Sequence, residues 1–162
     1  MHKNKGSDGM AMVSEQEQFT ALEQAGWVKM DIQQGFTGYI GPYWRKQEEQ
    51  GTTIGLLVAE RHANTHIGSL HGGALMSFAD IGLGMGVVFA MGEKAQQCVT
   101  TSLNTQFVGI AKMGDFVTLQ PEVVRQTRQL VFVRGLVKSG DKVIANVDGI
   151  WKLLEGELKR PD

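Results

Sequence analysis

Asp80 is the residue whose type and setting most call for a chemical explanation. It is the only charged residue between Arg61 and Glu93, inside an apolar segment that reaches Met91. A carboxylate there is costly to bury unless it is hydrogen-bonded, paired with a charge or engaged in chemistry. The plain alternative is an Asp on the one wet face of a core helix. Just upstream, His71-Gly72-Gly73 forms a flexible, polar-edged turn into the segment. Two other residue types deserve the same test. His62 and His66 lie four apart with His71 following, which raises a metal site. The HExxH pattern is missing, and Asn64, Gly68 and Ser69 argue against a helix that would align the pair, so no metal is expected. Cys98, the single cysteine, has nothing beside it in sequence to lower its pKa and is not read as a nucleophile.

The elements that must position Asp80 follow from periodicity. The segment from the glycines to Met91 reads as the longest helix of the chain. At about 100° per residue, Leu75, Phe78, Ile81, Met85 and Phe89 share one face. Asp80 points away from it, beside Gly73, Met76, Ser77, Gly84 and Val87. Gly82, Gly84 and Gly86 each weaken a helix by about 1 kcal/mol relative to Ala, so either the helix loosens there or another backbone packs close. The spacing is not GxGxxG after a strand, which argues against a nucleotide fold.

Upstream, Ser14-Glu15-Gln16-Glu17 is a capping box opening a short helix to about Ala25, with Phe19 and Leu22 inward and Gly26 as its stop. Trp27 to Ile40 is ambiguous between a short strand and loop. Gly38 to Trp44 reads as an aromatic, turn-rich loop, or as one wall of an apolar pocket. Gly55–Arg61 reads as a strand and His62–Leu70 as loop. Downstream, Gly92 to Gln97 turns the chain. Val99–Ile110, Phe116–Arg125, Leu130–Lys138 and Val143–Leu154 read as strands, with hairpin connections at 126–129 and 139–141. Strand, helix, then four strands predicts an α+β fold, an antiparallel sheet wrapped around one long central helix.

Composition sets the frame. A chain of 162 residues with 42% hydrophobic residues suits one domain with a real core. Residues 1–13 are polar and aperiodic and are expected to form a disordered tail ahead of a single domain, 14–162. Net charge is −1 with the signs interspersed, which gives no general attraction to nucleic acid or anionic membrane. A lone cysteine favours a reducing compartment. The basic start lacks the apolar stretch of a secretory signal, and no uninterrupted apolar run reaches the ~20 residues of a membrane span. The reading is a cytoplasmic protein.

His71-Gly72-Gly73 followed by Ala79-Asp80, with Asn64, Gly68 and the run Thr100–Gly114, resembles the hotdog-fold acyl-CoA thioesterases. The likeness is to the phenylacetate-pathway type and its mammalian relatives, within the superfamily of 4-hydroxybenzoyl-CoA thioesterase. It extends from Gly55 to Leu153. Two features depart from the pattern. Thr65-His66-Ile67 makes the Asn64-to-Gly68 spacing one residue longer, and Ile110 stands where a Pro is common.

The resemblance implies hydrolysis of an acyl-CoA to free acid and CoA, with no cofactor apart from the coenzyme A of the substrate. Asp80 matches the base or nucleophile. Backbone amides of Gly72 and Gly73, at a helix start whose dipole favours developing negative charge, match the oxyanion donors. Thr100 matches a hydroxyl that orients water, Asn64 a contact to thioester or water, and His71 a residue that fixes the turn or polarises the carbonyl. Met76, Ser77 and Thr101 are expected at the substrate. The resemblance also implies a homodimer that shares its active sites, often paired into a tetramer. A dehydratase or hydratase acting on an acyl thioester, and a non-catalytic acyl-CoA-binding domain, are the competing functions. Arg125, Arg128, Arg134, Lys138 and Lys142 suit either CoA phosphates or a solvated strand surface.

Overall fold

A computed structural model describes residues 14–64, 66–92 and 97–154. The expected tail, most of the turn after the long helix, and residues 155–162 lie outside the described residues. The chain runs α1 (Glu15–Gln24), β1 (Val28–Lys29), α2 (Gly35–Ile40), β2 (Tyr43–Glu48), β3 (Gly51–Leu57), a 3-10 turn (Glu60–His62), α3 (Gly72–Met91), β4 (Cys98–Phe107), β5 (Phe116–Leu119), β6 (Glu122–Gln126), β7 (Leu130–Ser139) and β8 (Lys142–Leu153). The eight strands form one sheet in the order β1-β2-β3-β5-β7-β8-β4, with β6 also paired to β7 and every pairing antiparallel. The sheet packs around α3, which meets β3 through β8.

The capping box forms as the sequence requires. Ser14 accepts from the Glu17 amide, and Glu17 reaches back to the Ser14 amide. Gly26, at φ 84°, ends the turn beyond α1. Phe19 packs on Trp44 with ring centroids 5.3 Å apart.

Three strand assignments need correction. The stretch from Gly38 to Trp44 is not a loop: α2 ends at Ile40 and β2 begins at Tyr43. Tyr43 and Trp44 are both buried. Adjacent strand residues face opposite ways, so Tyr43 stacks on Phe78 of α3 while Trp44 lies under α1. The strand expected at Gly55–Arg61 starts and ends earlier, at Gly51–Leu57, and Arg61 falls in the 3-10 turn. Phe116–Arg125 is two strands rather than one. The break falls at Gln120-Pro121, because Pro121 has no N–H to give a ladder.

The buried face of the helix is rotated from the predicted one, keeping Leu75 and Phe78 and leaving Ile81 and Met85 partly buried at its margin. Leu75, Phe78, Ala79, Gly82, Leu83 and Val87 are buried, whereas Phe89 is 37% exposed. The glycines explain the shift. A Cβ at Gly82 would sit 2.7 Å from Leu119 Cδ2, and one at Gly84 would sit 3.1 Å from Trp151 Nε1. One at Gly86 would run into the Pro121 ring. These positions count as apolar contacts although they carry no side chain, and the helix does not loosen over them. With 20 residues and mean hydropathy 1.8, α3 is by length and composition able to cross a membrane, which corrects the sequence-based exclusion. Here it is the core helix of the sheet.

Replacing Gly86 by Ala separates propensity from packing. Helix propensity alone favours Ala by about 1 kcal/mol. The clash with Pro121 should outweigh this and leave a net loss of about 1–3 kcal/mol, read as a lower denaturation midpoint. A Gly86→Ala protein more stable than wild type would show that Pro121 yields freely.

Candidate active site

Asp80 lies midway along α3 and is half-buried. The Thr100 hydroxyl donates to its Oδ1 at 2.6 Å. Neighbours twenty residues apart in sequence are thus joined by a short, charge-assisted bond. The second carboxylate oxygen has no partner among the described residues.

A β-bulge makes this contact possible. Thr100 pairs with Trp151 and Ser102 with Ile150, so β4 spends one extra residue, Thr101, against β8. Cross-strand partners share a face, and Trp151, Gly149, Val147 and Ala145 are buried. The residues opposite them, Thr100, Leu103, Thr105 and Phe107, therefore turn toward α3. The alternation changes phase at Thr101, as bulges allow. Without the extra residue, Thr100 and Leu103 could not both point inward. Thr101 itself is exposed.

Groups near Asp80 feel its charge. Burial, and then the Asp80 carboxylate, push the Tyr43 hydroxyl far above its ordinary pKa. The same two causes, in the same order, raise the Cys98 thiol. Both groups are protonated at neutral pH, so Cys98 is no thiolate nucleophile.

The start of α3 is built by His71. Its backbone is extended, and its Nδ1 accepts the Gly73 N–H at 3.0 Å, making it the N-cap. An Nδ1 that accepts carries no proton, so in the neutral ring the proton is on Nε2. His71 is exposed, which leaves that Nε2–H open to a ligand. Sequence reasoning expected two glycine amides at the oxyanion. The Gly73 amide is occupied by His71 here, while the Gly72 N–H has no acceptor among the described residues. The Phe107 ring flanks Gly72, 3.6 Å from where a Cβ would lie. Ser77 donates to the Gly73 carbonyl at 2.9 Å, which ties it to the helix, and Met76 is 40% exposed next to it.

Asn64 sits in the turn before α3. Its Oδ1 accepts the His66 N–H at 3.1 Å, and its backbone pairs with Ser69 and Gly68. The side chain therefore holds the turn. His62 is buried with both ring nitrogens engaged, while His66 is exposed, so the histidine pair does not converge. Of the basic residues, Arg134 forks onto Glu122 at 2.9 and 3.1 Å, and Lys142 donates to the Ile110 carbonyl. Two clefts open away from Asp80. One of about 1170 Å³ lies between the end of α3 and the strand faces of β2, β6 and β7. The other, about 840 Å³, is bounded by α1, β1 and α2 and includes Tyr39 and Pro42. Of the stretch from Gly38 to Trp44, Gly38, Tyr39, Gly41 and Pro42 line the second cleft, while Tyr43 and Trp44 line neither of the two.

The family model of the thioesterase superfamily matches residues 67–145. The Pseudomonas aeruginosa protein named "Putative esterase PA0474" is 32% identical over 115 residues, 70% of this chain and 84% of that protein. The chain belongs to the thioesterase superfamily. Two solved structures of this superfamily's fold are similar. Zebra fish thioesterase superfamily member 2 has a TM-score of 0.65 at 22% identity, covering 87% of this chain and 99% of that one. A hypothetical thioesterase from Streptococcus pneumoniae, solved with coenzyme A, has a TM-score of 0.59 at 17% identity, covering 69% and 85%. The hotdog fold expected from the motif is thereby shown, and the superfamily supports hydrolase chemistry.

Thr100 is the sharpest test of the site. Thr100→Val is nearly isosteric but removes the donor to Asp80. It should lower kcat about tenfold or more while the melting temperature stays within a few degrees. Equal kcat in a folded Thr100→Val protein would reduce Thr100 to a packing residue.

Proposed function

We propose that this protein hydrolyses acyl-CoA thioesters. The observation that carries the reading is the Asp80–Thr100 bond on a helix that begins with a His71 N-cap and a Gly72 amide without an acceptor among the described residues. Water held at Asp80 and Thr100 attacks the thioester carbon as Asp80 takes its proton. The carbonyl oxygen becomes an oxyanion held by the Gly72 N–H and the His71 Nε2–H. Collapse expels the CoA sulfur, which receives the proton from Asp80, and leaves the free acid. Direct attack by Asp80, giving an anhydride that water then opens, uses the same residues. Trapping that intermediate, or its absence in single-turnover ¹⁸O labelling of Asp80, distinguishes the two.

The CoA-bound S. pneumoniae relative supports CoA as the carrier. The His71-Gly72-Gly73 and Asp80 motif favours the phenylacetate-pathway type, so aryl-acetyl thioesters are the first acyl groups to try, beside medium and long chains. The single thiol, Cys98, fits a reducing, cytoplasmic setting. Free-thiol release from such a panel separates hydrolysis from hydration, which retains the thioester, and from binding alone. Asp80→Asn should reduce the best rate by at least ~10²-fold. Wild-type rates in a folded Asp80→Asn protein would remove Asp80 from the mechanism.

The site is shared between two copies of the chain. Gly72 and Asp80 lie on one continuous helix, eight residues or about 12 Å apart along its axis. A thioester carbon cannot stay within about 3 Å of both. Two antiparallel copies of α3 about a two-fold axis would bring Gly72 of one to Asp80 of the other, with a dimer of such dimers as the tetramer. The exposed edge supports this. Among the described residues β4 has no partner strand on one side, and Val99, Phe107, Val108 and Ile110 stand 42–63% exposed along and beyond it.

Mixing two dead variants tests the sharing. Asp80→Asn removes the carboxylate. Gly72→Pro removes the amide where Pro is well tolerated, at the first helical position after an extended residue. After joint refolding, random heterodimers have one intact and one doubly defective site, so activity should return to about a quarter of wild type. Verified heterodimers as inactive as their parents would exclude a shared site.

A further inference from the structure

His62 takes no part in the chemistry above, yet each of its polar atoms is committed. It is 1% exposed at the end of the 3-10 turn. Its Nδ1 accepts the Ala59 N–H at 3.0 Å, so the ring proton belongs on Nε2, which donates to the Ile40 carbonyl at 2.7 Å. Its own carbonyl accepts the His71 N–H at 2.8 Å. One residue thereby joins the exit of β3, the end of α2 and the N-cap of α3. Arg61 braces the same junction, donating from Nε and Nη2 to the Gly41 carbonyl at 2.9 and 2.7 Å.

We propose that His62 is a positioning residue whose neutral, Nε2-protonated ring holds His71 and the Gly72 amide in working geometry, and that protonating this ring releases them. The inference rests on the reading of His71 and Gly72 given above. Its logic is donor against donor. A second proton must go on Nδ1, where it faces the Ala59 N–H. The ring cannot flip to escape this without losing the Ile40 bond. The 3-10 turn then shifts, and with it the carbonyl that fixes the His71 backbone.

The groups around the ring set the pH at which this happens. Burial is the largest influence and disfavours the charge, and Arg61 in the same turn repels it. The Ile40 carbonyl, second to burial and ahead of Arg61, favours the charge, and Glu15 of α1 and the Leu57 carbonyl favour it more weakly. Glu15 is also paired with Arg61 at 3.1 Å. The net effect holds His62 below its ordinary value of 6.5. The neutral, competent form therefore prevails at neutral pH. Activity is lost as pH falls through the lowered midpoint and returns when pH is raised.

The test follows the wild-type protein by NMR, with its histidines and glycines isotopically labelled. The His62 ring and the His71, Gly72 and Gly73 amides are titrated together, and kcat and KM are measured over the same pH range. The three amides should each show a component with the His62 midpoint. The kcat should drop roughly tenfold or more through it, with KM within about twofold, as expected when an interaction made only in the transition state is lost. In His62→Gln, which keeps a donor for Ile40 but cannot titrate, that component and that step should vanish. His62→Asn, which keeps an acceptor for Ala59, serves the same purpose where the Gln protein does not fold. Amides that do not follow His62 overturn the proposal, as do variants that lose only melting temperature and retain the wild-type pH profile. Absence of thiol release from every acyl-CoA would instead sink the hydrolase reading, and the amide titration would still decide whether His62 governs the cap.

Discussion

The close seating of α3 against the sheet is the constraint on which the site depends. Leu119, Trp151 and Pro121 press onto the helix where Gly82, Gly84 and Gly86 present bare backbone. That approach fixes the rotation and depth of the helix. Asp80 lies one turn before Gly84 and meets Thr100, whose strand neighbour is the same Trp151 that touches Gly84. Larger residues at these glycines would lift the helix and lengthen a bond of 2.6 Å. Stability and chemistry here share one set of contacts. The helix weakening caused by three glycines is offset by the burial they permit.

The two ends of the site are anchored in different ways. Asp80 is held by packing, in the middle of a helix seated on the sheet along one side. The His71–Gly72 end is held by hydrogen bonds at a junction of loops, where His62, Arg61 and Asn64 satisfy backbone groups that no strand or helix pairs. Loops carry function because a rigid scaffold presents them. In this chain the scaffold is extended into the loop by side-chain hydrogen bonds, that of His62 to Ile40 among them buried. The carboxylate end should accordingly be the more rigid of the two.

Much of this was legible in the sequence where signals are local. The capping box at Ser14, the long apolar helix and the strand-rich second half each follow from short-range chemistry. Thr100 entered as a site residue only by family resemblance, and its bond to Asp80 follows from no spacing rule, since the two lie twenty residues apart. The burial face of α3 was misjudged because hydrophobicity counts side chains, and Gly82 and Gly86 contribute contact without one. Strand β2 was missed because Tyr43 and Trp44 are buried on opposite faces, which defeats the alternation test. The break at Pro121 is legible in sequence, because proline lacks the N–H a strand ladder needs. His62 offered in sequence only a histidine spacing that suggests a metal pair, since its role lies in three backbone groups supplied by other elements.

The extra residue in β4 has a consequence for assembly. A uniform edge strand can slide by two residues and still offer the same side chains, so its pairing is degenerate. An edge whose alternation reverses partway lacks that freedom. Before Thr101 the even-numbered residues face the helix, and after it the odd-numbered ones do. Any strand laid alongside β4 meets this dislocation at one fixed place and cannot match both halves in a shifted alignment. In the dimer proposed above, the bulge would act as an index mark, giving two copies of the chain one way to align. The stagger between Asp80 of one copy and Gly72 of the other would then be written into a single surplus residue.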